Sequence, residues 1–223
     1  MATRIIYRSA RPSDLAFLRN FVVDTFAKRE PTSRYLKLGT AGFLPFYDEY
    51  VHPYVDLKTT VVAEEHRIEG KRVHSEIVSC LVNTPYDAVG DPSKLGRVLP
   101  LVNLIDALDK PFKEGVLKPQ NIPESRVLHT LLGATKEGYE GKRLFWNAMS
   151  ESLRLAMDGR WDMAVAECTA WGTRKVCRDA VGFKEGSIIQ YKDFEVDGTK
   201  PFEHLEGEAV LLWKDLRKGV DEM

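Results

Sequence analysis

The sequence is poor in cysteine, in net charge and in long apolar runs, and each shortage excludes a class of protein. It has three cysteines in 223 residues, an odd number without a CxxC spacing, which argues against a disulfide framework and a zinc site. Its 32 basic and 33 acidic residues nearly cancel, so no overall field favours nucleic acid or an anionic membrane. No stretch approaches ~18 uncharged apolar residues, and the first residues lack the apolar run of a signal peptide. We therefore expect a cytoplasmic protein with no nucleic-acid or membrane partner.

Two kinds of site motif are also missing. The five histidines show neither HxxxH nor HExxH spacing, so we expect no metal. The glycine-bearing segment 131–144 contains neither GxGxxG nor GxxxxGK[ST], the common phosphate motifs. What remains is ordinary globular composition, with 43% apolar and 29% charged residues, in a chain long enough to bury a core.

Apolar periodicity predicts a single α/β domain over residues 1–223. The predicted elements are strand 5–7, helix 14–27, helix 40–51, strands 59–63 and 73–82 joined by a turn at 69–71, helix 95–108, strand 127–135, a helix from 144 to Gly159, strand 163–168, helix 173–181, and strands 188–191 and 209–213. The proline-rich segment at about 84–125 is interpreted as a helical insertion, since it is too short to bury its own core. Pro100 is expected to break or kink its helix.

The segment 131–144 is a strand, a glycine loop and a helix start. Unpaired N–H groups at a helix N-terminus bind anions, and Gly138 and Gly141 let the backbone approach a ligand closely. Lys142 and Arg143 add two positive charges at the same place. The chemistry fits a pyrophosphate, although a plain strand-to-helix turn with a solvated Lys-Arg pair fits the local spacing equally well.

The order of elements in the second half resembles a known family. Residues 131–144 read LLGATKEGYEGKRL, followed by AVAEC at 164–168 and AVGF at 180–183, and the chain opens with RSARPSDL at 8–15. This pattern is similar to the Gcn5-related N-acetyltransferase (GNAT) superfamily. The resemblance implies one mixed, mostly antiparallel sheet flanked by helices, acetyl-CoA as co-substrate, a small primary amine as acceptor, and a monomer or homodimer. It assigns acetyl-CoA binding to eight residues: Gly133, Ala134, Thr135, Gly138, Gly141, Lys142, Arg143 and Leu144.

The loop matches the family pattern in two registers. If Gly141 is the family's first glycine, Gly138 stands where Gln or Arg is expected and Arg143 where Gly or Ala is. If 139–141 match the family's Tyr-Arg-Gly, Arg143 and Phe145 replace the two glycines. We prefer the second register, because it puts Thr135 at the usual last strand position. In both, Arg143 brings a bulky side chain, so either the loop geometry differs or the guanidinium itself meets phosphate.

A narrower resemblance lies near the front, where residues 26–39 read FAKREPTSRYLKLG. This stretch resembles the insect and nematode arylalkylamine N-acetyltransferase branch, and Glu30 matches the glutamate proposed there as the general base. An alkylammonium has a pKa near ~10.4 and must lose a proton before it can attack a thioester, which a carboxylate can accept. Without the resemblance, Glu30 would be interpreted as an exposed loop acid.

Other site residues follow from the same resemblance. Backbone N–H groups of 133–135 are expected to stabilise the oxyanion. The family's tyrosine acid is absent, since Arg178 stands at its position, and Thr173 is the preferred substitute to hydrogen-bond the thiolate, with a helix N-cap as the alternative. Cys177 is a weaker candidate acid, more typical of an inert buried thiol. His129 could relay a proton or be satisfied by a neighbour.

Three alternatives remain open at this point. The chain could be a non-catalytic acyl-CoA-binding scaffold, because loop glycines and the tyrosine are missing. The acceptor could instead be an amino acid or a protein N-terminus, since fold does not determine function. The aromatic residues at 43, 46, 47 and 50 could line an amine pocket or pack in the core.

Overall fold

A computed structural model describes residues 2–70 and 72–217, and Lys71 of the predicted turn lies outside this part. Within it, seven strands form one sheet. The strands are β1 Ala2–Ser9, β2 Val61–Glu69, β3 Arg72–Pro85, β4 Val127–Thr135, β5 Met163–Cys168, β6 Lys184–Gln190 and β7 Glu208–Asp215. The helices are α1 Leu15–Arg29, α2 Pro31–Tyr35, α3 Gly39–Phe46, α4 Leu99–Phe112, α5 Leu144–Met157 and α6 Trp171–Lys175.

The sheet is mixed and mostly antiparallel, as predicted. Its strand order is β1-β2-β3-β4-β5-β7-β6, with β7 between β5 and β6. Every neighbouring pair is antiparallel except β4 and β5, which run parallel. The helix α5 connects these two parallel strands, as a crossover between parallel strands requires.

Helices cover both faces of the sheet. Successive side chains of a strand point to opposite faces, and here both faces carry apolar side chains that need to be buried. On β5, Ala164 and Ala166 pack in one apolar cluster with residues of α5. Met163 and Val165 point the other way, into a cluster with residues of α4. A third cluster joins α1 and α3 to the same side of β3 and β4. The two faces therefore have separate cores, with α5 on one and α1, α3 and α4 on the other.

The segment 84–125 folds around α4, and here one local prediction is wrong. Pro100 neither breaks nor kinks the helix; it lies in the first turn of α4, which begins at Leu99. Proline is favoured there because the first N–H groups of a helix have no intrahelical acceptor. Leu104 and Leu108 are fully buried against the sheet, so α4 contributes to the core. That the segment is an insertion in a single domain stays a prediction.

None of the helices in the described part is long and apolar enough to cross a membrane.

Candidate active site

A cavity opens where the two parallel strands separate. β4 and β5 are paired from Val127 with Met163 to His129 with Val165, and both strands continue beyond this point. Thr130 closes the paired part, since its Oγ1 donates to the Val165 carbonyl at 2.7 Å. The space between the diverging strands forms a cavity of about 510 Å³ that reaches the start of α5. A cleft of this size is within the range of small-molecule sites.

The glycine loop brings the start of α5 to this cavity. Gly138, Gly141 and Arg143 all have positive φ, at 81°, 73° and 59°. Arg143 is the residue before the helix, and its left-handed backbone carries a cost for a residue with a Cβ. Gly141, Arg143 and Leu144 line the cavity. The loop therefore presents a helix N-terminus and a guanidinium to the same space.

Gly138 and Lys142 do not line the cavity. The Gly138 N–H donates to Glu140 at 2.8 Å, and the Lys142 ammonium lies 4.1 Å from the centre of the Tyr139 ring. Both stand at the outer rim of the loop, where they are exposed.

A loop carboxylate also lines the cavity, but it is paired. Glu140 forms an ion pair with Arg29 at 2.8 Å, and Arg29 donates to the carbonyl of Thr135 at 3.0 Å. Arg29 thus joins the end of α1 both to the loop and to the end of β4. Because Arg29 balances the charge of Glu140, the positive charge of Arg143 remains for an anionic ligand, so the donor set fits a pyrophosphate.

Near the end of β4, Gly133 leaves a gap on one face of the strand, and the Phe145 ring fills it. A Cβ on Gly133 would lie 2.3 Å from the Phe145 ring, so only glycine fits while that ring stays in place. Gly133, Thr135 and Phe145 line the cavity, whereas Ala134 is buried in the cluster beneath α1 and α3. Thr135 is the last residue of β4, as the preferred loop register expects.

Glu30 lies in the cavity wall, but its carboxylate caps a helix. The side chain accepts from the Thr32 N–H at 3.0 Å, the Thr32 hydroxyl at 2.7 Å and the Ser33 N–H at 2.6 Å. Glu30 is thus the N-cap of α2, and it is 7% exposed rather than an exposed loop acid. A carboxylate has about four lone-pair sites, so capping leaves little capacity for a further partner.

Thr173 also lines the cavity. It lies in α6, whose N-cap is Ala170, so the alternative that Thr173 is the N-cap is wrong. Thr169 lines the same wall. Cys177 is fully buried 4.0 Å from the Cys168 sulfur and does not line the cavity, which agrees with an inert thiol. Arg178 is half exposed and pairs with Asp179 and Glu185.

A smaller cavity of about 30 Å³ lies beside the first, on the α1 and α3 side. Phe43 and Phe46 line it while also packing in the core, whereas Tyr47 is buried in the core without lining it. Phe26, Glu30 and Glu167 line both cavities, so they mark the junction between them.

Glu167 was not expected from the sequence to have a role. It is the one charged residue in the apolar strand β5, and that isolation is a signal that could have identified it, because a buried charge needs a reason. Its side chain is 2% exposed, and its Oε2 lies 2.5 Å from Nε2 of His129. His129 does not line either cavity and is satisfied by this neighbour.

Asp109 of α4 completes this buried group. It is 8% exposed, and burial together with repulsion from Glu167 raises its pKa to about 9. Burial also acts to raise the pKa of Glu167, but the attraction and hydrogen bond of His129 and a hydrogen bond from Asp109 outweigh it and lower that pKa. At neutral pH Asp109 is therefore protonated and Glu167 is charged.

No group of three or more His, Cys, Asp or Glu residues that could hold a metal ion occurs among residues 2–70 and 72–217.

Comparison with known proteins gives matches in structure. No protein-family model matches the chain, and no curated protein matches it in sequence. The condensation domain of Ebony, solved with beta-alanyl-dopamine, is similar over 96% of this chain and 100% of its own, with a TM-score of 0.75 and 16% identity. A polyamine N-acetyltransferase from Drosophila melanogaster that forms N-acetylagmatine matches over 95% and 100%, with a TM-score of 0.71 and 15% identity.

An arylalkylamine N-acetyltransferase from Aedes aegypti matches over 96% of this chain and 99% of its own, with a TM-score of 0.70 and 14% identity. At such identities the likeness concerns the fold, and it extends over nearly the whole chain. The chain therefore has the fold of the GNAT acetyltransferases, in the form found in the insect arylalkylamine and polyamine N-acetyltransferases.

Proposed function

We propose that this protein is an acetyl-CoA-dependent N-acetyltransferase that acts on a small primary amine. The observation that carries the proposal is the single cavity at the β4–β5 divergence. Glu30, the end of β4 and the N-terminus of α5 all line it. In this proposal they would supply a proton acceptor, backbone donors and an anion site to one bound substrate pair. The fold shared with amine acetyltransferases adds support by analogy.

The loop and helix start would hold the phosphates of acetyl-CoA. Gly141, Arg143 and Leu144 would contribute backbone N–H groups and one guanidinium, with Gly138 and Lys142 at the outer rim. Acetyl-CoA supplies the activated acetyl thioester. An N–H group of β4 between Gly133 and Thr135 would donate to the acetyl oxygen as negative charge develops there.

The acceptor must lose a proton before it attacks. Glu30 would take that proton directly or through one water, which is general base catalysis. Thr173, which also lines the cavity, would donate a hydrogen bond to the departing thiolate. Both roles rest on the lining of the cavity by these side chains.

A second candidate function is a non-catalytic scaffold that binds acyl-CoA. It is favoured by the capping role of Glu30, whose carboxylate already accepts three hydrogen bonds. It is also favoured by Arg143 and Phe145, which replace glycines of the family loop.

Release of CoA from acetyl-CoA in the presence of a panel of primary amines tests the proposal. Glu30→Gln removes the proton acceptor and keeps one oxygen for the cap, although the Thr32 and Ser33 N–H groups donate to different oxygens of Glu30, so a thermal melt must show that the variant folds. We expect kcat to fall by about 10²–10⁴-fold, the usual range for a lost general base. The loss should shrink as pH approaches the pKa of the amine, and acetyl-CoA binding should stay unchanged.

The exposed Glu195→Gln serves as the matched control and should retain full activity. A thermal shift with acetyl-CoA but no turnover with any amine would support the scaffold. Turnover with a kcat for Glu30→Gln within threefold of the wild type would assign the base to another group. A cytoplasmic location and a monomeric or homodimeric state stay predictions.

A further inference from the structure

A carboxylate of the glycine loop is held by the kind of donors that bind phosphate. Oε1 of Glu140 pairs with the Arg29 guanidinium at 2.8 Å, and its Oε2 accepts from the Gly138 N–H at 2.8 Å. The hydrogen bond of its own backbone N–H, the charge of Arg29 and the Gly138 N–H lower the pKa of this carboxyl, so it is charged at neutral pH. A guanidinium beside loop N–H groups suits a phosphate, and here the chain's own carboxylate is bound to both.

The pair of Arg29 and Glu140 can be exchanged at little cost. Each side chain is 45% exposed, and an ion pair between exposed groups stabilises a protein little. Arg29 is also held independently of Glu140, because another nitrogen of its guanidinium donates to the Thr135 carbonyl at 3.0 Å. A guanidinium has five N–H donors, so one contact can be kept while another changes. Arg29 therefore stays oriented at the cavity when its partner changes.

The loop backbone is fixed by contacts that do not involve the Glu140 side chain. The Tyr139 hydroxyl donates to Glu65 of β2 at 2.7 Å and accepts from Arg67 at 2.9 Å. The Tyr139 N–H donates to the Lys136 carbonyl at 3.0 Å. Because its neighbour is anchored to the sheet, Glu140 can leave its donors by a change of rotamer while the loop keeps its conformation.

The charges around the cavity favour such an exchange. Among the described residues that line it, Arg29 and Arg143 are the basic ones. The pyrophosphate of acetyl-CoA carries a negative charge on each phosphate, and Arg143 alone balances only one of them. Arg29 balances the other once Glu140 has left, whereas a Glu140 that stayed would repel the ligand. A phosphate also offers a guanidinium two oxygens at once, where Glu140 offers it only Oε1.

We propose that Arg29 binds a phosphate group of the cofactor, and that Glu140 competes with this phosphate for Arg29 and the loop N–H groups. The inference rests on the proposed function and adds a regulation of its cofactor site. Glu140 lowers the affinity for every anion, because each has to displace it. A polyphosphate replaces it well, whereas an anion with one charge and few oxygens replaces it poorly. The exchange therefore makes the site selective for phosphates.

Calorimetric binding of CoA without an acceptor tests the inference. We expect Glu140→Gln to bind CoA at least about threefold more tightly than the wild type, since a neutral amide competes less for Arg29. Arg29→Gln should bind CoA at least about tenfold more weakly, because the phosphate loses a charged partner and the charge of Glu140 remains. Glu137 is an exposed acid of the same loop that does not line the cavity. Glu137→Gln is therefore the matched control and should bind CoA within about twofold of the wild type.

A purely structural role of the pair gives different results. If Arg29 and Glu140 only braced the loop in its binding form, Glu140→Gln and Arg29→Gln would both weaken CoA binding, which would overturn the proposal. Unchanged CoA affinity in either variant would overturn it as well.

Dephospho-CoA, which lacks the phosphate on the ribose, identifies the phosphate that Arg29 binds. If Arg29→Gln also weakens the binding of dephospho-CoA, the partner is the pyrophosphate. If Arg29→Gln weakens only the binding of CoA, the partner is the ribose phosphate. Either result supports the proposal.

A crystal structure of the wild type with CoA tests the exchange without any variant. It should show the Arg29 guanidinium within hydrogen-bond distance, about 3.2 Å, of a phosphate oxygen. The Glu140 carboxylate should have moved away from the Gly138 N–H. A complex with CoA that keeps the pair of Arg29 and Glu140 would refute the proposal.

Kinetics separates this inference from the proposed function. CoA binding that changes as expected in the variants, without turnover of any amine, would refute the enzyme and keep the exchange. Turnover with a KM for acetyl-CoA that is unchanged in both Glu140→Gln and Arg29→Gln would do the reverse. Absence of CoA binding in both the wild type and Glu140→Gln would refute both.

Discussion

Replacing the buried acid Asp109 by asparagine should stabilise the protein, by an amount that grows with pH. Its pKa is about 9 in the folded chain, against an ordinary value of 3.8. Between these values the native state holds a proton that the unfolded chain has lost. The free energy of unfolding therefore falls as pH rises, by about 1.4 kcal/mol per unit for this group. Asparagine does not titrate and removes this slope.

The size of this effect at a given pH depends on how far that pH lies above the ordinary pKa of Asp109, which is 3.8. At pH 7 the linkage amounts to at most about 4 kcal/mol, because pH 7 lies about three units above the ordinary value. Asparagine keeps a donor for Glu167, so the hydrogen bond survives the change. Allowing for imperfect geometry, we expect Asp109→Asn to raise the free energy of unfolding by about 2–4 kcal/mol at pH 7. At pH 5 the gain should be near 1 kcal/mol.

Urea unfolding of both proteins from pH 5 to pH 8.5 measures this difference. The exposed Asp193→Asn is the matched control and should keep the pH slope that Asp109 gives the wild type. In a Glu167→Gln background the repulsion on Asp109 is gone, so its pKa should fall and the slope should end at a lower pH. A flat difference across the range, or a variant less stable than the wild type at pH 8, would refute the reasoning.

Three further predictions concern the cavity. Gly141→Val places a β-branched residue at a φ of 73°, so we expect urea unfolding to show a loss of about 1–3 kcal/mol in the free energy of unfolding. Initial rates should show a higher KM for acetyl-CoA. Gly133→Ala brings a Cβ to 2.3 Å from the Phe145 ring and should lower the melting temperature, which a second change, Phe145→Leu, should partly restore. If the Thr173 hydroxyl donates a hydrogen bond to the thiolate, Thr173→Val should lower kcat about tenfold, whereas Thr173→Ser should keep the wild-type kcat. A wild-type kcat in Thr173→Val would exclude that role.

The pattern of apolar residues alone determined much of the fold. The strands Val127–Thr135 and Met163–Cys168 have the predicted bounds, because a short, mostly apolar run between turn residues has few other solutions. The helix α1 begins and ends within two residues of its prediction, since its spacing of apolar residues is regular. The loop between β4 and α5 was also located from its glycines, two of which have the positive φ that favours this residue.

The local sequence pattern predicted the structure less well where one residue is compatible with two conformations or two roles. Pro100 is compatible both with a break inside a helix and with the first turn of a helix. It lies in the first turn of α4, because the turn before it packs Val98 into the core. Glu30 was expected near the cavity from a short motif. That its carboxylate caps α2 depends on the backbone of Thr32 and Ser33, which the motif did not reveal.

Only the tertiary structure brought the site together. Glu30, Asp109, His129 and Glu167 belong to four elements that are far apart in the sequence, and no local pattern indicates that they meet. Their meeting depends on the parallel pairing of β4 with β5, on the point where these strands diverge, and on α4 lying across that face. These are long-range packing outcomes, and the burial that shifts the pKa of Asp109 exists only after they have formed, because no local segment excludes water from a carboxyl by itself.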